Sequence, residues 1–166
     1  GLGHTLKKYK ELSQEGEFAS TDSVTLISDS GELDEVRIIG PIRKNTQVEL
    51  SLTDARKLKI APPIRISGDI DGTPGIKIKG PAGEIYLDKG VIIAKRHFHC
   101  CNETSKELGL KNGDNVRVKI GGIRGLVFDN VEVRVGDSFI DSVHIDTDEG
   151  NACTENGICL MGEVEI

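Results

Sequence analysis

Apolar and polar positions alternate with period two over much of the chain, and this pattern predicts many short β-strands. Because successive side chains of a strand point to opposite faces, each such segment presents one apolar face and one polar face. The predicted strands are V24–I27, V36–I39, Q47–L50, I76–K79, E84–L87, V91–A94, H97–H99, V116–I120, L126–F128, V131–V135 and S142–D146. Two short helices are predicted, one within residues 52–60 with Thr53 as a possible N-cap, and one over residues 102–109 that ends at Gly109.

The composition supports a mainly β chain. The 166 residues include 19 Ile and 12 Val, but only 6 aromatic residues and no Trp. β-branched side chains favour strands because their stiff χ1 packs well on a pleated surface. The 20 glycines supply the turns that many short strands need.

Composition and charge also exclude classes of partner. No run of about 18 uncharged apolar residues occurs, so we expect no membrane-spanning helix and no membrane partner. The net charge is −6 and aromatic residues are few, which argues against a nucleic-acid partner.

The four cysteines are interpreted as reduced, buried thiols. They are Cys100, Cys101, Cys153 and Cys159, and no C-x-x-C spacing occurs among them. A chain of this length does not need disulfides to form a stable core, and adjacent cysteines do not easily bridge each other.

Two of the four histidines form the motif His97-x-His99 on a predicted strand. Residues i and i+2 of a strand share one face, so these two imidazoles can bind one metal ion, and zinc is a suitable one. The alternative is two polar residues on a solvated strand face. His144, also within a predicted strand, is the natural third ligand, although it can equally be a hydrogen-bonded core histidine.

A faint internal repeat links this motif to an acidic residue. Overlaying residues 47–60 on residues 97–110 at an offset of 50 places Glu49 opposite His99, each on a strand that leads into a short helix. Two related β units would then each contribute polar ligands to a site. A buried carboxylate is costly unless it is paired or metal-bound; the alternative is that Glu49 faces solvent.

Other charged residues have two interpretations each. Arg43 lies in the turn that follows Gly40-Pro41 and can bind an anion through its guanidinium, or it can be a solvated loop arginine; Arg96 and Arg124 are similarly ambiguous. The acidic run 146–149 is read as a solvated loop, with hydrogen bonding to ligand histidines as its alternative role.

Five segments together resemble phosphate propanoyltransferase, the PduL-type phosphotransacylase of bacterial propanediol and ethanolamine utilisation. They are G40-P-I-R-K-N-T-Q-V-E-L-S51, S67-G-D-I-D-G-T-P-G-I76, G90-V-I-I-A-K-R-H-F-H99, R124-G-L-V-F-D-N130 and H144-I-D-T-D-E-G-N-A152. The resemblance implies two intertwined small β-barrels capped by short α-helices. We place a short ribbon or linker at residues 1–21, the first barrel at 22–94 and the second, incomplete without an upstream strand, at 95–166.

The resemblance implies a metal-dependent acyltransferase that interconverts acyl-CoA and phosphate with acyl phosphate and CoA, with propanoyl-CoA or a similar short chain as substrate. His97, His99 and His144 would hold one zinc ion, and Glu49 would belong to a second. Arg43 would be the catalytic residue that holds phosphate, whereas Lys10, Arg37 and Asn151 would lie near coenzyme A. Cys100 is the rival nucleophile. The family implies a homodimer in the bacterial cytoplasm, and possible cargo of a bacterial microcompartment, located in its lumen.

One departure from the family pattern affects the second metal. The family has an earlier R-H-x-H-like motif with two further histidine ligands, which this sequence lacks; His4 aligns with a non-ligand position. We expect that the corresponding segment belongs upstream of Gly1 and that the second site retains only Glu49. The competing hypothesis is a truncated, catalytically impaired zinc-binding β-barrel or assembly module.

Overall fold

A computed structural model describes residues 2–12, 14, 16–154 and 161–166, and it is built mainly from strands with three short helices in these ranges. The prediction of a mainly β chain is therefore confirmed. The chain divides into two compact units, Gly1–Ile93 and Ala94–Ile166. The barrel boundaries and the intertwining that the resemblance implies stay predictions.

The described part of the first unit contains eight strands and one helix. They are β1 (Lys8–Glu11), β2 (Phe18–Ile27), β3 (Glu32–Gly40), β4 (Val48–Leu50), α1 (Leu52–Lys57), β5 (Ile64–Arg65), β6 (Ile76–Gly80), β7 (Gly83–Leu87) and β8 (Val91–Ala94). β2 is the centre of the larger sheet because it pairs with β3 along one edge and with β1 and β6 at opposite ends of the other. A smaller sheet has the order β4-β8-β5, in which β4 and β8 are parallel.

The core of the first unit consists of apolar residues on one face of several strands together with residues of helix α1 and its C-cap. Its buried members are Leu26, Val48, Leu50, Ala55, Leu58, Ile76, Ile78, Val91 and Ile93. Helix α1 begins two residues earlier than predicted. Its N-cap is Ser51 rather than Thr53, because the Ser51 hydroxyl accepts a hydrogen bond from the backbone N–H of Asp54.

The second unit, where it is described, is one five-stranded sheet with two helices. Its elements are β9 (His97–Cys100), α2 (Asn102–Leu108), β10 (Asn115–Ile120), β11 (Leu126–Val135), β12 (Ser142–His144), α3 (Thr147–Cys153) and β13 (Gly162–Glu165). The sheet order is β12-β9-β11-β10-β13, in which β9 and β11 run parallel and the other pairs antiparallel. Gly109 closes α2 in the left-handed conformation, as predicted.

Three features of this unit differ from the sequence prediction. The two strands predicted at 126–128 and 131–135 form one strand, β11, which continues through a bulge where Asn130 has φ of 55°. The acidic run after His144 begins helix α3 rather than a loop. Strand β13 was not predicted.

None of the helices in the described ranges is long and apolar enough to cross a membrane.

We predict that neighbouring residues of β10 differ sharply in their effect on stability. Val118 is fully buried, whereas Lys119 is on the exposed face. Val118→Ala should lower the free energy of unfolding by about 2 kcal/mol, because it leaves a cavity in the core. Lys119→Ala, the matched control, should change it by less than about 0.5 kcal/mol. Equal effects in urea unfolding would show that the assigned faces are wrong.

Candidate metal centre

Strand β9 separates its polar and apolar side chains onto two faces. Phe98 and Cys100 belong to the core of the second unit, so His97 and His99 point to the opposite face of the sheet. This arrangement is what the H-x-H spacing predicts. His99 is nevertheless buried, and only 3% of its surface is exposed.

Strand β12 brings His144 to the same face. β12 and β9 are antiparallel, with His144 opposite His97 and Ser142 opposite His99. The ring centroids of the three histidines lie 4.3–5.0 Å apart. One ligand nitrogen from each of the three rings lies within 4.8 Å of the other two. The structure thus gathers all three histidines singled out in the sequence into one cluster.

The hydrogen bonds of the cluster leave a buried imidazole nitrogen of His99 without a protein partner in the described ranges. His97 Nδ1 lies 3.0 Å from the Lys95 carbonyl oxygen, and His144 Nε2 lies 3.1 Å from Ser142 Oγ. His99 Nε2 is buried and has no hydrogen-bond partner among the described residues. A buried polar atom without a partner is costly, and a metal ion bound by the three nitrogens would satisfy it. The residues present therefore fit a zinc-type ion.

Burial keeps two of these imidazoles neutral. Desolvation, followed by repulsion from the protonated forms of His144 and His97 and from Arg134, lowers the pKa of His99 to about 3. Desolvation, followed by His97 and Arg134, lowers the pKa of His144 to about 4. At neutral pH both rings have a lone pair available for a metal, because neutral imidazole is the ligand form of histidine.

The loop between β11 and β12 supplies a residue that the sequence did not suggest. Phe139 stacks on the His99 ring, with centroids 4.1 Å apart and an angle of 10° between the planes. Asp141, in the same loop, accepts hydrogen bonds from the Cys101 backbone N–H and the Thr104 hydroxyl at the start of α2. This connection holds the loop, and with it Phe139, next to the cluster.

The acidic run after His144 forms a capping box. The Asp146 carboxylate accepts from the Glu149 backbone N–H at 2.8 Å, and Glu149 accepts in return from the Asp146 backbone N–H at 3.1 Å. Glu149 also pairs with Arg96 at 2.7 Å. Arg96 directly precedes His97, and Glu149 lies in helix α3, which follows His144 along the chain. The Arg96–Glu149 ion pair therefore connects the segments beside the two histidine-bearing strands.

Arg43 and Glu49 lie in the first unit, where other polar residues connect them. Gln47 Nε2 donates to Glu49 Oε1 at 2.6 Å and to Ser67 Oγ at 2.9 Å, and Arg43 Nη1 donates to Ser67 Oγ at 3.4 Å. Arg43 also pairs with Glu17. Glu49 is on the exposed face of β4. Sequence reasoning missed Gln47 and Ser67, although both belong to the segments that carry the family resemblance.

The residues predicted near coenzyme A are distributed over both units. Lys10 is on β1 and Arg37 on β3, strands that both pair with β2; Arg37 donates to the Ser20 carbonyl oxygen at 2.7 Å. Asn151 is on α3 in the second unit, and its carbonyl oxygen accepts from Arg124. Their roles stay predictions.

The three cysteines in the described ranges have free thiols, as predicted; Cys100 and Cys153 are buried, whereas Cys101 is only half-buried, contrary to the prediction. Cys159 lies outside the described residues. Cys100 is fully buried on the core face of β9, and burial raises the pKa of its thiol.

Comparison with known proteins gives one consistent result. The family model of phosphate propanoyltransferase matches residues 1–156. A phosphate propanoyltransferase of Thermotoga maritima is 47% identical over 167 residues, covering 100% of this chain and 80% of the relative. Those of Rhodopseudomonas palustris and Salmonella typhimurium are each 46% identical, covering 94% and 90% of this chain and 70% and 72% of the relatives.

We predict that zinc binding depends on the clustered histidines and not on His4. His99→Ala should abolish retention of zinc at this site, because it removes a buried ligand. His4→Ala is the matched control, since His4 is exposed and pairs with Asp22. Mass spectrometry of the metal content after dialysis measures the outcome. Zinc retained by His99→Ala would contradict the assignment.

We also predict the pH dependence of the metal-free protein. Unfolded histidines titrate near pH 6.5, whereas native His99 and His144 take up protons only at about pH 3 and about pH 4. Below about pH 6.5 the unfolded chain therefore binds more protons, and the free energy of unfolding falls as pH falls.

The lowered pKa of His99 should account for about 2 kcal/mol of the decrease in the free energy of unfolding between about pH 7.5 and about pH 5. Urea unfolding in the presence of a chelator measures it, and His99→Gln should have a shallower pH dependence. Parallel pH profiles for the two proteins would contradict the burial of a neutral His99.

Proposed function

Because the chain belongs to the phosphate propanoyltransferase family, we propose that it transfers a short acyl group, such as propanoyl, between coenzyme A and phosphate in a metal-dependent reaction. The family name supports acyl-CoA, phosphate and acyl phosphate as the reactants. The observation that carries the metal dependence is the buried His99 Nε2, which has no protein partner among the described residues and lies beside two further imidazoles.

His97, His99 and His144 would hold the ion. A zinc ion bound there would act as a Lewis acid toward phosphate or thioester oxygens. The protein contributes the orientation of the ligands. The Lys95 carbonyl oxygen and the Ser142 hydroxyl contact His97 and His144, and Phe139 fixes the plane of the His99 ring.

Acyl transfer needs a nucleophile, and phosphate itself can serve. A phosphate oxygen attacks the thioester carbonyl carbon, the new C–O bond forms, and the C–S bond breaks so that the sulfur leaves with its electron pair as CoA thiolate. The alternative nucleophile, Cys100, is poorly placed for this reaction. Its thiol is buried on the core face of β9 and has a raised pKa, so the thiolate is disfavoured.

Two residues of the first unit also have proposed roles. Arg43 would hold phosphate and Glu49 would belong to a second metal, as the resemblance implies. Support comes from the hydrogen bonds through Gln47 and Ser67, which fix both side chains on one small region of that unit. Lys10, Arg37 and Asn151 would contact coenzyme A. The homodimer and the location in the bacterial cytoplasm or a microcompartment lumen stay predictions.

The test is the release of free thiol from propanoyl-CoA in the presence of phosphate. The zinc-loaded protein should be active, and His99→Ala should lose more than ~100-fold in rate because the metal is lost. Cys100→Ala should stay within about threefold of the parent protein, since no acyl-cysteine forms.

Two outcomes would overturn the proposal. A folded, zinc-loaded protein that releases no thiol would favour the non-catalytic zinc-binding hypothesis. A Cys100→Ala variant that folds and binds zinc but is inactive would favour an acyl-cysteine mechanism.

A further inference from the structure

The polar face around the histidines has two rows of side chains, set by the pairing of three strands. Glu132 of β11 lies opposite His97, which lies opposite His144. In the next row, Arg134 of β11 lies opposite His99. Residues in register on neighbouring strands point to the same side of a sheet. Arg134 is therefore on the face that carries the metal centre.

The two charged residues of β11 differ in their partners. Glu132 forms an ion pair with Lys95 at 2.6 Å. The side chain of Arg134 forms no ion pair and no hydrogen bond with any residue of the described ranges, and its guanidinium carbon lies 5.9 Å from the centroid of the Phe139 ring. Its side chain is half-buried.

An uncompensated guanidinium beside a cluster suited to a cation is unfavourable unless an anion binds there as well. A guanidinium offers two parallel N–H donors that match the oxygens of a phosphate group. We infer that Arg134 binds the phosphate group of the substrate at the three-histidine centre: inorganic phosphate in one direction, and the phosphoryl group of acyl phosphate in the other. This inference rests on the proposed transacylase function and concerns the second unit alone.

Two competing roles for Arg134 predict different behaviour. If Arg134 only positions Phe139 by a cation–π contact, its replacement should weaken zinc binding and stability. If it binds a phosphate of coenzyme A, its replacement should affect acyl-CoA rather than free phosphate. Under the inference, removing a positive charge beside the metal should leave zinc affinity equal or higher, while phosphate binding is lost.

The kinetic experiment compares Arg134→Gln with Arg134→Lys and with the control Arg117→Gln. Arg117 is 56% exposed and pairs with Glu165 on β13. Arg134→Gln should raise the KM for phosphate roughly 10- to 100-fold, the range for losing a charge-assisted hydrogen-bond donor, and change the KM for propanoyl-CoA less than about twofold. Arg134→Lys should lose less, because it keeps the charge. Arg117→Gln should match the parent protein.

A binding experiment tests the same inference without turnover. Inorganic phosphate should raise the Tm of the zinc-loaded parent protein and of Arg117→Gln, but not that of Arg134→Gln, whose zinc content should be unchanged. A phosphate-dependent Tm increase retained in Arg134→Gln would overturn the inference. So would a change confined to the KM for propanoyl-CoA, or a loss of zinc.

These readouts separate the role of Arg134 from the proposed function. If the proposed function fails, the parent protein releases no thiol from propanoyl-CoA. The phosphate-dependent Tm of the parent and Arg134→Gln proteins still decides whether Arg134 binds phosphate.

Discussion

The alternation of side chains along β9 is the constraint on which the rest of the candidate site depends. The same four residues that anchor the strand in the core through Phe98 and Cys100 must present His97 and His99 on the other face. A shift of one residue would reverse both faces, so the apolar core fixes the register of the metal centre. This register leaves a buried imidazole nitrogen of His99 without a protein partner in the described ranges, and a metal ion bound by the three imidazoles would satisfy it.

The surroundings of the site restrict its movement. The Arg96–Glu149 pair and the capping box of α3 connect the segments that flank His97 and His144, while Asp141 fastens the loop of Phe139 to the start of α2. Most of these contacts join elements distant in sequence, and they restrict the positions of the three imidazoles. Preorganisation of this kind reduces the ordering cost of binding.

The sequence pattern predicted the features that neighbouring residues determine, namely the positions of strands and the face to which each side chain points. Period-two alternation identified most strands and placed His97 and His99 on one face. The pairing of β12 with β9, which brings His144 opposite His97, is a long-range choice that no local pattern encodes. The acidic run 146–149 was wrongly predicted to be a solvated loop because its charges were taken as a sign of exposure. The spacing Asp146-x-x-Glu149 is that of a capping box, and it could have revealed the start of helix α3. Phe139 and Ser67 reach their partners from loops, so only the folded chain shows their contacts.

The central claim is that three imidazole nitrogens bind the metal. X-ray absorption at the zinc edge, on protein loaded with one zinc ion per chain, tests it most directly. A three-histidine centre predicts a shell of nitrogen or oxygen ligands at about 2.0–2.1 Å with the multiple scattering of three imidazole rings. A zinc–sulfur distance of about 2.3 Å, or scattering from fewer than three imidazoles, would contradict it.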